Sequence, residues 1–136
     1  MRYKFDEPTV IKSIETNYGL FNFYDKYVVA IIHEGVDLNE VLIDDCISLM
    51  QDFYGVKRPF AYITHRIHSY SVNPLIYLKV SQVPNLAAFA VVSNKMFDTF
   101  NIQIEKAFNT KPHELFGTLS EAINWAVMLV DAADKN

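Results

Sequence analysis

Hydrophobic and polar residues follow two spacings along this chain, and the switches between them mark its elements. Spacing of two governs residues 9–15, with Val10 and Ile14 on one face and Thr9, Ser13 and Glu15 largely on the other. That is the pattern of a half-exposed edge strand. A second strand is expected over 19–24, and Asp25-Lys26 then turns the chain into 27–33. The last run is apolar on both faces, as a central strand covered on both sides is. Two short connections make these three strands an antiparallel meander.

Helical spacing takes over at Asp37 and runs to about 54, with Leu38, Val41, Leu42, Cys46, Leu49, Met50 and Phe53 along one face. Asp37 and Glu40 form a capping-box-like pair, and Gly55 stands where a C-terminal cap is wanted. Two runs of strand length follow, Phe60-Ala61-Tyr62-Ile63-Thr64 and Ala87-Ala88-Phe89-Ala90-Val91-Val92. Between them lie a polar segment, 65–71, and a helix over 74–83 that is apolar around most of its circumference. In a third helix, 95–108, Met96, Phe97, Phe100, Ile104, Ala107 and Phe108 share one face, as a core-facing stripe does. A short strand at 113–116 precedes a last helix, which opens on a Thr118–Glu121 capping box and runs to about 133. Its Leu119, Ala122, Ile123, Ala126, Val127 and Val130 are expected to face inward. The order implies one α/β domain over 1–136, loose at about 1–7 and 134–136. Its single mixed sheet begins as an antiparallel meander, continues by parallel crossovers and packs against about four helices.

Composition narrows the function. A net charge of -4 argues against a nucleic-acid partner, because phosphate binding needs a basic stripe. Cys46 is the single cysteine, so no internal disulfide forms; its place in a helical stripe makes it a buried, inert thiol. No apolar run is long enough to span a bilayer, and the first residues lack the apolar core of a signal peptide, so the cytoplasm is the expected location. Four glycines leave little room for a phosphate cradle, and no nucleophile elbow or dinucleotide fingerprint is present. Neither enzyme activity nor a cofactor is expected.

Three features carry a resemblance. They are the meander Tyr18-Gly-Leu-Phe-Asn-Phe-Tyr-Asp-Lys-Tyr-Val-Val-Ala-Ile-Ile32, the amphipathic helix after Asp37, and Phe116-Gly-Thr-Leu-Ser-Glu-Ala-Ile-Asn-Trp125. From about 9 to 133 the chain resembles the SpoIIAA-like group of the STAS superfamily, whose fold is related to the lipid-transfer Sec14-like domain. The resemblance implies a non-enzymatic regulatory or ligand-binding domain, commonly self-associating. In the anti-sigma-factor antagonists of that superfamily, a serine at the start of the helix after the middle strand is phosphorylated by a partner kinase. Ser71 is the nearest positional match and Ser69 the second; Tyr70 stands where an acidic residue is usual, and Asn73-Pro74 where a glycine is.

The segment 65–71 leaves the carboxyl end of a predicted parallel strand, where open parallel sheets place their sites. A phosphate on Ser71 or Ser69 would gain from a helix N-terminus, while the same hydroxyls could simply satisfy backbone groups. Arg66, flanked by His65 and His68, is a candidate anion site; no third metal ligand lies nearby in sequence, and no metal is expected. Tyr70, Tyr77 and Val80 are candidate contacts for a protein partner or a second copy, a homodimer. The alternative is a small carrier holding an apolar or lipid-like molecule beneath the 74–83 helix, lined from a stock of 10 phenylalanines and 8 tyrosines.

Overall fold

The computed structural model describes residues 9–135. The loose ends expected at 1–7 and at the final residue lie outside that range, whereas Asp134 still belongs to the last helix. The meander is β1 (Lys12–Glu15), β2 (Gly19–Phe23) and β3 (Tyr27–Ile32), each pair antiparallel. A two-residue strand β4 (Asp37–Leu38) leads into α1 (Glu40–Tyr54), then β5 (Phe60–His65). A second two-residue strand, β6 (Ser71–Val72), precedes α2 (Ile76–Val80) and β7 (Leu86–Val92). The chain closes with α3 (Met96–Phe108), β8 (His113–Phe116) and α4 (Leu119–Asp134).

Six strands form one sheet in the order β1-β2-β3-β5-β7-β8, parallel from β3 onward. Each crossover advances one position in the same direction, and right-handed crossovers of that kind leave their helices on one face. The packing agrees. Phe21, Val28, Phe60 and Phe89 share a core with Ile43, Cys46 and Met50 of α1, Ile76 and Tyr77 of α2, and Ile102 of α3. Among the described residues the opposite face is covered by α4, where Ala61, Ala88 and Ala90 of the sheet meet Ala122, Ala126 and Val130. Alanine on both sides brings helix and sheet backbones close.

Several local expectations shift. The first strand is shorter than 9–15, and Val10 and Ile11 are exposed. Asp37 and Leu38 are drawn out of the first helix to pair with Ser71 and Val72, so Asn39 becomes the cap, its Oδ1 accepting from Leu42 N–H at 3.1 Å. The buried stripe of α1 is Ile43, Cys46, Met50 and Tyr54, a rotation that leaves Val41 at the surface. The helix expected over 74–83 contracts to the five residues of α2, flanked by turns. Gly55 closes α1 at φ 74°, and the Thr118–Glu121 box opens α4 as expected.

The largest departure is α3. Its buried residues are Asp98, Ile102 and Glu105, while Met96, Phe97, Phe100 and Ile104 are exposed. The stripe read as core-facing points outward, and the polar face points in. The crossover order puts α3 above the end of β5, where a buried arginine claims its two acids.

Packing at the α4 face is testable. Ala126 is fully buried against alanines of the sheet. Ala126→Leu is expected to lower the unfolding free energy by about 1–3 kcal/mol in urea denaturation, the usual cost of overpacking.

Candidate functional site

At the carboxyl ends of β5 and β7 the chain builds a polar cluster inside the protein. Arg66 follows β5 directly, and its side chain is only 7% exposed. Its Nη1 donates to Asp98 Oδ1 at 3.2 Å, and its Nη2 to both oxygens of Glu105 at 3.1 and 3.0 Å. Its Nε donates to the Tyr70 hydroxyl at 3.2 Å, and Nη2 also reaches the Tyr77 hydroxyl at 3.5 Å. Asp98 and Glu105 can both answer one guanidinium because seven residues is two turns of a helix, which returns to the same face. The second oxygen of Asp98 accepts from Ser93, whose hydroxyl also accepts from Lys95 N–H.

His113 of β8 closes the cluster from the far side, and its tautomer can be assigned. Asn109 Oδ1 accepts from Lys111 N–H at 2.9 Å, which fixes its amide, so Asn109 Nδ2 must donate to His113 Nδ1 at 3.0 Å. The proton is then on Nε2, which donates to Glu105 Oε1 at 3.2 Å. One positive charge meets two negative ones, leaving a buried excess of one negative charge. Burial by itself would raise the Glu105 carboxyl, but the hydrogen bond from His113 and the charge of Arg66 outweigh it and hold it below the usual range. Burial likewise works against the Arg66 charge, yet Tyr70, Tyr77 and Glu105 hold it above its usual range.

A cleft of about 300 Å³ opens outside this cluster. Its polar wall is His68, Ser69, Ser71, Lys95 and Asn101, and its apolar wall includes Val72, Phe97 and Ile104. A second, internal space of about 30 Å³ lies beneath α1 and α2, among Ile43, Cys46, Met50, Ile76 and Val80. Arg66 and Tyr70 line both spaces.

No protein-family model and no curated protein matches the sequence. Among solved structures, the chain is similar to an uncharacterised protein of the DUF3478 family with a SpoIIAA-like fold from Shewanella loihica PV-4. The match has a TM-score of 0.54 and covers 93% of this chain and 98% of that one, at 11% identity. This chain has a SpoIIAA-like fold. At that identity the likeness extends to the fold alone, so the cleft is interpreted from its own side chains.

In the SpoIIAA-like domain the residues singled out from sequence separate into three groups. Arg66 cannot serve an external anion, because Asp98 and Glu105 already engage its guanidinium in the interior. His65 ends β5, half-buried, its imidazole lowered by burial, while His68 stands 45% exposed at the cleft rim, 4.0 Å from Glu34. The three do not converge on one site. Tyr77 and Val80 are 1% and 4% exposed, so they are core residues rather than a contact surface; the short α2 turns Leu75 and Leu78 outward instead. Tyr70 is half-buried over Arg66, with its ring centre 5.7 Å from the guanidinium carbon.

The two serines also differ. Ser71 lies in β6, five positions before α2, so no helix N-terminus faces it, and its hydroxyl donates to Asp37 at 3.1 Å. Ser69 accepts from Lys95 Nζ at 3.2 Å and lines the cleft. Asp98 and Glu105 were missed from sequence. The available signal was two acids seven apart on the polar side of a helix with an unusually apolar opposite face. Among the described residues no helix is long and apolar enough to cross a membrane.

Two measurements test the cluster. Arg66→Ala strands two buried carboxylates and is expected to cost about 3–5 kcal/mol in denaturant unfolding. Glu105 ionises more readily folded than unfolded, so its contribution is present above the usual glutamate value of about 4.3 and is lost as pH falls through its lower folded value. The melting temperature of Glu105→Gln is therefore expected to fall less steeply than wild type below about pH 4.3.

Proposed function

We propose that this SpoIIAA-like domain is a non-enzymatic regulatory module that pairs with a second copy of itself through the outward face of α3. The reversed polarity of that helix carries the reading. Met96, Phe97, Phe100 and Ile104 are each at least 50% exposed and recur at helical spacing, the seam that helix packing uses. Scattered exposed apolar residues are ordinary; a contiguous stripe marks an interaction surface.

Charge favours a second copy as the occupant. Both acids of α3 are turned inward, so its exposed face carries no carboxylate. A two-fold axis near Phe100 runs two copies of the helix antiparallel. It sets Lys95 of one against the Lys106–Glu114 pair of the other, which is closed at 3.1 Å and offers a carboxylate for Lys95. An isologous contact of this kind is self-complementary. The internal space of about 30 Å³ is far below the roughly 300–1,000 Å³ of ordinary ligand pockets, which supports a module over a lipid carrier. A serine switch fits Ser69 better than Ser71, because a phosphate there would draw Lys95 away from the pairing surface, whereas one on Ser71 would face Asp37.

Sedimentation velocity tests the pairing. Wild type is expected to dimerise, and Phe100→Asp to weaken the dimer by roughly thirtyfold or more while leaving circular dichroism unchanged, as for a hot-spot residue. Lys95→Glu should also weaken it, and mixing that variant with Glu114→Lys should restore association. A wild-type protein that stays monomeric at every accessible concentration would sink the reading.

A further inference from the structure

The outward face of α3 carries one group whose polarity can be changed covalently. Met96 opens the helix and is 75% exposed. In an antiparallel pair with its axis near Phe100, positions equally far before and after the axis meet, so Met96 of one copy faces Ile104 of the other. The helix cannot turn Met96 away from that contact. Its rotation is fixed by Asp98 and Glu105, both bound to Arg66 in the interior. Its first turn is tied by Thr99 Oγ1, which donates to the Met96 carbonyl at 2.6 Å. A change of polarity at Met96 therefore acts on association and leaves the core alone.

We propose that Met96 is a site of reversible oxidation by hydrogen peroxide, and that its sulfoxide separates the paired copies. The inference rests on the pairing through α3 proposed above. A sulfur lone pair attacks one peroxide oxygen, forming the S–O bond as the O–O bond breaks. Sulfur loses two electrons, and the second oxygen leaves as water with the proton of the transferred one. Reversal by a methionine sulfoxide reductase consumes a dithiol, which becomes a disulfide while the oxygen leaves as water. The sulfoxide is polar where the thioether is apolar. Pressed against the apolar side chains of Ile104 and Phe100, its oxygen loses water and gains no donor, a cost absent from the separated copies. Two-fold symmetry applies that cost twice.

The other sulfur atoms among the described residues set Met96 apart. Cys46 is 1% exposed and its thiol is pushed up to about 12 by burial, which withholds the reactive thiolate. Met50 is 3% exposed, inside the core under α1. Met128, 59% exposed, lies on α4, across the sheet from α3, and serves as an internal control.

Sedimentation velocity on the full chain, before and after hydrogen peroxide, tests the site, with oxidation of each methionine read by peptide mass spectrometry. Each oxidised copy is expected to weaken the dimer about tenfold, the scale of one buried polar group left without a partner. The urea midpoint of dilute, monomeric protein is expected to stay unchanged, and sulfoxide reductases of both epimer specificities with dithiothreitol to restore association. Met96→Leu is expected to lose the response to peroxide whatever its starting affinity, and Met128→Leu to keep it. Oxidation of Met96 should slow as protein concentration rises through the dimer constant, while that of Met128 stays constant. A wild type that is monomeric at every concentration overturns the pairing and this proposal together. A dimer that withstands full oxidation of Met96, that responds equally in Met96→Leu, or whose Met96 oxidises at a concentration-independent rate overturns the proposal and leaves the pairing standing.

Discussion

Arg66 places a guanidinium in the interior, and the domain around it is arranged to answer that charge. Five N–H groups need acceptors, and an unanswered one costs far more than an answered one returns. Two of the acceptors come from a single helix face, so α3 must turn Asp98 and Glu105 toward β5. Glu105 in turn takes the Nε2 proton of His113, which ties β8 to the same centre. The end of β5 is thereby held to α3 and β8, which follow it by more than 30 residues, in one orientation by charge and hydrogen bonding, with Ile102 as the apolar member of the α3 face.

The surface of the domain follows from that constraint. With its acids committed inward, α3 presents Phe97, Phe100 and Ile104 to solvent and bears only lysines near its ends. The other side of the sheet has a different character. There α4 lies on alanines of β5 and β7, an interface of close backbones and small side chains with little tolerance for change. The polar cluster, the cleft and the exposed stripe of α3 thus all lie on the three-helix side, opposite the face that α4 covers.

Cleft and stripe share side chains, because Phe97 and Ile104 belong to both. The polar rim near Ser69 and Lys95 adjoins the apolar ridge of α3, and Tyr70 stands between the rim and the interior. No reversal of winding occurs among the parallel strands, so the cleft is not the crevice of a doubly wound sheet. It is made instead by the loop leaving β5 and the helix following β7.

How much of this was legible in the sequence depends on the range over which each residue acts. The meander, the parallel strands, the Thr118 cap and the α/β class were readable because alternation, short turns and capping residues act over a few neighbours. The position of a polar segment at the strand ends was readable for the same reason. Its chemistry was not: Arg66 looked free because its partners lie 32 and 39 residues away. Asp37 looked like a helix cap until Ser71 claimed its backbone in a two-residue strand pair. The stripe of α3 has the right spacing for a core face, and spacing carries no direction. Local periodicity determined which residues of α3 share a side; only the tertiary structure decided which side faces in, because a buried cation must be neutralised before apolar residues can be covered.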